Sequence, residues 1–367
     1  MPRYHVCDRQ LPLRDAGLLE LASDDLGACE LLEELAGEGS ESANGRVWTL
    51  RFEEYGPFLR LVNHLQRWIK EDQVAAVRCR ITYADEEERE GNVEGGEDRT
   101  AAAAAEPSAG WVPIAFLFAG VGNDRIADVI LNRRFTSFMQ PIVRPGGQEV
   151  GYEFLLRPLP EQPPFRPADL FAAARESGLH SYLDREARDS AIRLAASHLP
   201  QGVKKFVNFL PSSIYSPSSC LERTFRTIRE RGLDPQDFVF EVVETERLDD
   251  ARHLSDIFDV YRAQGIRLAM DDVGEKFATL DVMDRLQPDY VKIDRRWVNG
   301  SHADPDKQRH IEEALDRASR FHGVVLAEGV EDERDWRYLA EAGVPLLQGY
   351  LFGRPSPVPL PVRAGAV

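Results

Sequence analysis

The chain predicts an α/β protein whose larger part is a parallel sheet or a (β/α)8 barrel, and three observations lead there. From about Phe135 onward, short apolar or β-branched runs alternate with amphipathic helical segments over roughly 230 residues, as repeated strand–helix units do. Nearly every one of those runs is interrupted or ended by a polar residue. One join, between Met139–Val143 and Val150–Leu156, holds only a short turn with Gly146 and Gly147, too short for a crossover helix, so this pair is predicted to be an antiparallel hairpin.

A length of 367 residues exceeds one average domain, and length alone favours two. With 43% hydrophobic and 29% charged residues the composition is that of an ordinary globular protein, and no apolar run reaches membrane-spanning length, the longest lying around Pro113–Gly122. The first residues offer no apolar run that would serve as a secretory signal, so a cytoplasmic protein without membrane insertion is expected. The net charge of −17 argues against a nucleic-acid surface, which needs clustered Lys and Arg, but leaves room for a small phosphate ligand held through metal ions. Cys7, Cys29, Cys79 and Cys220 stand singly, without zinc-site spacing, and read as reduced structural thiols.

Charge divides the chain. Residues 1–122 hold 23 acidic and 12 basic side chains, the remainder 39 and 33. In this first module a Leu-rich stretch near Leu18–Leu35 predicts a helix, Arg46–Phe52 a strand, and Phe58, Leu61, Val62, Leu65, Trp68 and Ile69 a helix at spacings of three and four. Val74–Tyr83 and Trp111–Ala119 predict further strands, with Trp48, Trp68 and Trp111 as the small core. Asp85–Asp98 carries eight acids against one Arg and precedes five alanines, so 85–109 is expected to be a disordered insertion in a small α+β domain. Residues 123–134 are expected to be a connecting helix, and 135–361 the second domain.

In that second domain the predicted strands are Phe206–Leu210, Phe238–Val243, Ile266–Met270, Tyr290–Ile293, Val324–Ala327 and Leu346–Phe352. Leu254, Ile257, Phe258 and Tyr261 mark a helix that Gly265 can close with a left-handed cap; Ile311, Ala314, Leu315 and Ala318 mark another that Gly323 can close. Arg295-Arg296 and Arg229-Glu230-Arg231 read as solvated surface.

The polar residues on these strands are Glu153, Asn208, Glu241, Asp271 with Asp272, Lys292, Glu328 and Gln348. One carboxylate in a buried strand is often a structural hydrogen-bonder; strand after strand delivering a polar group is different, because barrel strands converge on one face where active sites sit. Five carboxylates and two amides, with no His, form a hard-oxygen set suited to Mg²⁺ or Mn²⁺ and not to zinc. That many carboxylates suggests two ions bridged by an Asp such as Asp271, able to polarise a phosphoryl oxygen and activate water, with Lys292 as the one cation of the set.

Gln140-Pro141-Ile142, Gly151-Tyr152-Glu153-Phe154-Leu155-Leu156-Arg157, Val207-Asn208, Phe240-Glu241-Val242-Val243-Glu244, Asp271-Asp272-Val273-Gly274, Val291-Lys292-Ile293-Asp294, Ala327-Glu328-Gly329-Val330-Glu331 and the run Gln348–Pro355, taken in order and spacing, resemble the EAL-type cyclic di-GMP phosphodiesterases over about 135–357. The resemblance implies a modified (β/α)8 TIM-like barrel with an antiparallel first strand, a homodimer, and cleavage of cyclic di-GMP to the linear dinucleotide. It implies Glu153, Asn208, Glu241 and Asp271 as ligands of one metal and Asp271, Asp272 and Glu328 as ligands of a second. It further implies Lys292 positioning the attacking water, Gln348 supporting the site, Glu244 steadying the loop after the Asp pair, and substrate contacts from Gln140, Arg157, Asp294 and Tyr350. Two departures stand out: the signature Glu-Ala-Leu is Glu153-Phe154-Leu155, and the loop after the Asp pair, typically Phe-Gly-Thr-Gly, is Val273-Gly274-Glu275-Lys276. The second Gly of that loop, free to take positive φ, is lost. A protein that binds cyclic di-GMP without cleaving it is the alternative those departures leave open.

Overall fold

In the computed structural model, residues 17–36, 40–42, 45–53, 55–70, 73–74, 76–83, 111–114, 117–118, 129–130, 132–176, 179–243, 251–273 and 280–359 are described. They fall into two compact units, one drawn from the chain up to Arg134 together with Ala168–Tyr182, the other from Phe135–Pro167 and from Leu183 onward. The expected insertion at 85–109 and most of the expected connecting helix lie outside the described residues.

The first unit is built on an antiparallel sheet of five strands, β1 (Gly17–Ser23), β2 (Ser40–Ser42), β3 (Gly45–Phe52), β4 (Val77–Tyr83) and β5 (Val112–Pro113), ordered β2-β3-β1-β4-β5. Helices Leu26–Ala36 and Tyr55–Trp68 accompany it. The stretch Leu18–Leu35, expected to be one helix, is a strand followed by a helix. Leu19 and Leu21 alternate toward the core, and β1 pairs on both edges, Leu21 facing Trp48 on one side and Cys79 on the other. Asp25 then caps the new helix, its Oδ1 accepting from the Ala28 amide at 2.8 Å. On the polar face of the sheet Glu20 receives Arg80 Nε at 2.6 Å and Nη2 at 2.9 Å. Trp111–Ala119 is not a full strand: among its described residues Val112 and Pro113 alone pair with β4, and Ile114, Leu117 and Phe118 are helical and buried. Proline has no amide to extend a ladder, which confines the pairing to the sheet edge. Trp48 is buried and Trp111 half-buried, but Trp68 is 38% exposed and not part of the core.

The second unit is a closed eight-stranded barrel: β6 (Phe135–Val143), β7 (Glu149–Pro158), β8 (Lys204–Phe209), β9 (Phe238–Val242), β10 (Arg267–Val273), β11 (Tyr290–Ile293), β12 (Val324–Ala327) and β13 (Leu346–Gln348). Strand β6 runs antiparallel to both its neighbours, β7 and β13, while every other pairing is parallel. This is the (β/α)8-like barrel with an inverted first strand. The hairpin turn carries Gly147 at φ +81°.

Because side chains alternate across a strand, residues two apart share the barrel interior. Ile142, Phe206, Val239, Ala269, Tyr290, Leu326 and Leu346 form one buried apolar layer. The residues two positions away along the same strands are Gln140, Asn208, Glu241, Asp271, Lys292, Glu328 and Gln348. A hydrocarbon plug therefore underlies a polar layer nearer the C-terminal ends of the parallel strands.

Helix Ala251–Ala263 ends with Gly265 at φ +78°, as the sequence predicts. Helix Pro305–Ser319 does not use Gly323 as its left-handed residue; His322 takes φ +63° instead, and the Gly323 amide returns to Ala318 O at 2.9 Å. The strand expected over Leu346–Phe352 stops at Gln348, because the chain turns at Gly349 and packs its backbone on Val330. A Cβ at Gly349 would lie 2.0 Å from Val330 O and 2.3 Å from Val330 N. Gly349→Ala is accordingly expected to lower unfolding free energy by about 2 to 3 kcal/mol, read from the midpoint of urea denaturation at unchanged slope.

Candidate active site

Lys292 lies mid-strand on β11, fully buried, and its ammonium is the centre of the polar layer. Nζ stands 2.6 Å from Glu328 Oε1, 2.7 Å from Glu241 Oε2, 3.2 Å from Asp271 Oδ1 and 3.4 Å from Glu153 Oε1. The four acids come from the end of β12, β9, β10 and β7. Glu153 is further held by Gln348, whose Nε2 donates to Oε2 at 2.7 Å, and by Asn208, whose Nδ2 donates to Oε1 at 3.3 Å. Glu328 sits just past β12, its amide bound to Ile293 O at 3.0 Å, and Gly329 turns the chain with φ +67° against Arg295.

The environments separate these acids. Burial lifts Glu241 well above the usual carboxylate range; Lys292 only partly offsets it, and Glu153 and Asp271 add repulsion. Glu328 is raised in the same way, by burial and by Asp271 and Glu153 against the pull of Lys292. Glu153 is also disfavoured by burial, yet Lys292 and the two amides outweigh this and hold it low. For Lys292 burial works against the charged form, but Asp271, Glu153, Glu241 and Glu328 together push it well up.

Glu153, Asn208, Glu241, Asp271, Lys292, Glu328 and Gln348, all singled out on sequence grounds, thus meet at one place. Glu244 and the loop at 274–279 lie outside the described residues, as does the side chain of Asp272. The four residues expected to meet substrate have other engagements. Gln140 Nε2 donates to Gly353 O at 3.3 Å, and Arg157 Nη1 to Leu156 O at 2.7 Å. Asp294 caps the short helix Arg295–Val298, accepting from the Arg296 amide at 2.9 Å and Nε at 3.0 Å. Tyr350 is 47% exposed, and Phe352, its companion in the sequence, is buried edge-on to Trp336.

Two features of the site escaped the sequence reading. The Arg354 guanidinium lies 4.1 Å from the centroid of the Tyr350 ring, fixing an exposed aromatic plane. Asp184, buried on helix His180–His198, accepts from the Leu210 amide at 3.0 Å, from Ser213 Oγ and from Arg188, and so pins the turn that follows Asn208 on β8. Arg354 falls inside a recognised motif and could have been flagged there; nothing in the sequence marks Asp184.

A divalent ion is what the donor set suits. Among the described residues no group of three or more His, Cys, Asp and Glu side chains is arranged as a metal cage, since the acids close on Lys292. Glu241 Oε1 and Gln348 Oε1 are nonetheless buried without hydrogen-bond partners among the described residues, and such acceptors call for a cation. All the donors are hard oxygens, so the residues present fit a hard divalent metal.

The EAL domain family matches residues 123–355, and the chain belongs to that family. It is 33% identical over 239 residues to the probable cyclic di-GMP phosphodiesterase PdeG of Escherichia coli, a match covering 62% of this chain and 45% of the relative. The standalone EAL protein of Vibrio cholerae in its c-di-GMP-bound form is 30% identical, with a TM-score of 0.57 over 62% of this chain and 95% of that one. The Klebsiella pneumoniae BlrP1 calcium and cyclic di-GMP complex, at 22% identity and a TM-score of 0.55, resembles it in fold over 93% of this chain and 96% of that one. This chain spans less than half the length of the curated E. coli relative.

Removing Lys292 leaves four buried or half-buried acids facing one another. In metal-free protein Lys292→Met is expected to cost about 3 to 5 kcal/mol at pH 8. The raised acids rise further without the ammonium, so the folded state binds protons that the unfolded chain has already released above the ordinary carboxylate range. Stability then recovers as pH falls from 8 toward 5, which urea melts across that window in the presence of a chelator will read.

Proposed function

We propose that this protein hydrolyses one phosphodiester of cyclic di-GMP to give the linear dinucleotide, using two divalent ions, Mg²⁺ or Mn²⁺. The observation that carries the proposal is the meeting of Glu153, Glu241, Asp271 and Glu328 around Lys292 at the C-terminal ends of the barrel strands. Relatives named as cyclic di-GMP phosphodiesterases support the substrate.

Glu153, Asn208, Glu241 and Asp271 would hold one ion, and Asp271, Asp272 and Glu328 the other. When bound, such a pair polarises a phosphoryl oxygen and makes water nucleophilic at neutral pH. Lys292 supplies a fixed positive charge that four acids keep protonated, ready to hold the attacking water by hydrogen bonding. Gln348 and Asn208 hold Glu153 at the mouth of the site, Nε2 on Oε2 and Nδ2 on Oε1. Arg157 would release Leu156 O to meet a phosphate with its fork, and Gln140, Asp294 and the Tyr350 ring would line the nucleotide. Glu244 would steady the loop after the Asp pair. On this reading 135–361 is a catalytic barrel acting in the cytoplasm as a homodimer, with 1–122 a separate module.

Chromatography of cyclic di-GMP incubated with the protein and Mg²⁺ or Mn²⁺ tests this. Linear product is expected, suppressed by chelation and lowered at least about 100-fold by Glu153→Ala, beyond the effect usual for an outer-shell partner. Gln348→Ala, which frees Glu153 but removes no carboxylate, is expected to retain more, losing about 10- to 100-fold. Tight equilibrium binding of cyclic di-GMP without product would instead make the protein a receptor.

A further inference from the structure

We infer that Asp184, on helix His180–His198, is a positioning residue for the metal site, setting Asn208 and Glu241 through the backbone that follows their strands. Its role rests on the metal-dependent site proposed above, to which it adds a buried acid that belongs to neither ligand set.

Asn208 is the second-last residue of β8 and Glu241 the second-last of β9, and the two face each other across the ladder. Just past them the ladder stops. Pro211 has no amide to continue it, and the amide of buried Leu210 needs an acceptor from elsewhere. Asp184 supplies one: Oδ1 accepts from the Leu210 amide at 3.0 Å, while Oδ2 accepts from Ser213 Oγ and from Arg188. The Ser213 amide closes the turn by donating to Leu210 O at 3.0 Å. One buried carboxylate thus holds both ends of the turn Leu210–Ser213.

That turn reaches two of the groups expected on one ion. Asn208 lies two residues before Leu210 and donates to Glu153 Oε1 at 3.3 Å. Between them, the Phe209 carbonyl accepts from the Val243 amide at 3.3 Å, beyond the end of β9, and Val243 lies two residues after Glu241. A backbone fixed at Leu210 therefore sets the ends of two strands at once. Asp189, on the same helix, serves a different element, accepting from Thr227 Oγ1 at 2.9 Å on helix Pro217–Glu230. At the opposite, N-terminal end of β8 and β9, Asp237 makes a comparable anchor, accepting from the Gly202 amide at 2.8 Å and from Lys205 Nζ at 3.2 Å. It is a matched control, on the same strands but away from the site.

The test measures Mn²⁺ affinity of the full chain from the electron paramagnetic resonance of the free ion, beside kcat and KM for cyclic di-GMP. Arg188→Leu is combined with Asp184→Leu and, separately, with Asp184→Asn, so that both variants lose the buried ion pair and differ in the acceptor left for the Leu210 amide. The Leu form is expected to bind Mn²⁺ about tenfold more weakly than the wild type and to lose about tenfold in kcat at unchanged KM, the low end of what supporting partners of metal ligands cost. The Asn form, which keeps an acceptor, is expected within about threefold of the wild type. Asp237→Asn should lower the urea midpoint and leave Mn²⁺ affinity unchanged, which separates positioning from loss of stability. Ser213→Ala removes only the hydroxyl contact with Asp184, so it serves even where the Leu form does not fold, and should weaken Mn²⁺ binding about threefold. With an active wild type, unchanged Mn²⁺ affinity in the Leu form or, where that does not fold, in Ser213→Ala overturns the role of Asp184 alone, as does equal weakening in the Leu and Asn forms. A wild type that binds no Mn²⁺ overturns the metal site and this role with it.

Discussion

A lysine ammonium enclosed by four carboxylates governs this protein. Taking one charge out of water is expensive, and taking out five is tolerable only if each finds an opposite charge or a hydrogen bond. Lys292 provides that for Glu153, Glu241, Asp271 and Glu328 together, and it can do so only where strands from around a closed barrel bring their side chains to one axis. Three donors cannot fully satisfy eight carboxylate oxygens. The remaining demand falls on Gln348 and Asn208 at Glu153, and is left unmet at Glu241 Oε1. An electrostatic arrangement so short of positive charge is stable as a scaffold and also receptive to metal.

The barrel makes the arrangement affordable by layering. On these strands an apolar residue stands two positions from the site group, Phe206 before Asn208, Val239 before Glu241, Tyr290 before Lys292, Leu326 before Glu328. The lower layer buries hydrocarbon and closes the pore, and this favourable burial offsets part of the desolvation just above it. Inverting β6 keeps the same logic in reverse: Gln140 lies on the polar level and Ile142 on the apolar one, although their order along the chain is opposite.

Much of this is legible in the sequence. Tyr290–Ile293 and Val324–Ala327 are legible to the residue, because short buried strands bounded by turns leave a compact, mostly apolar run. The seven site residues that converge were legible for a related reason: a polar group inside such a run has no purpose in a core unless others meet it. The resemblance to the EAL family then named a chemistry that composition alone could not. Leu18–Leu35 was misread because leucines on both sides of a doubly paired strand mimic a helical stripe, and Trp68 because its spacing fits the buried stripe while the ring itself lies 38% exposed.

What the sequence by itself determined was periodicity and residue type: which segments are strands, which of their positions share a face, and that hard-oxygen donors dominate that face. Tertiary structure alone decided partnership. That Lys292 is nearest Glu328 and Glu241, that Asp184 on a helix holds the turn after β8, and that Arg354 covers Tyr350 all depend on residues tens to hundreds of positions apart or on rotamers within one turn. Alternation along a strand is a local consequence of backbone geometry. Which charges meet depends on the closure of the barrel, and closure is a property of eight strands at once.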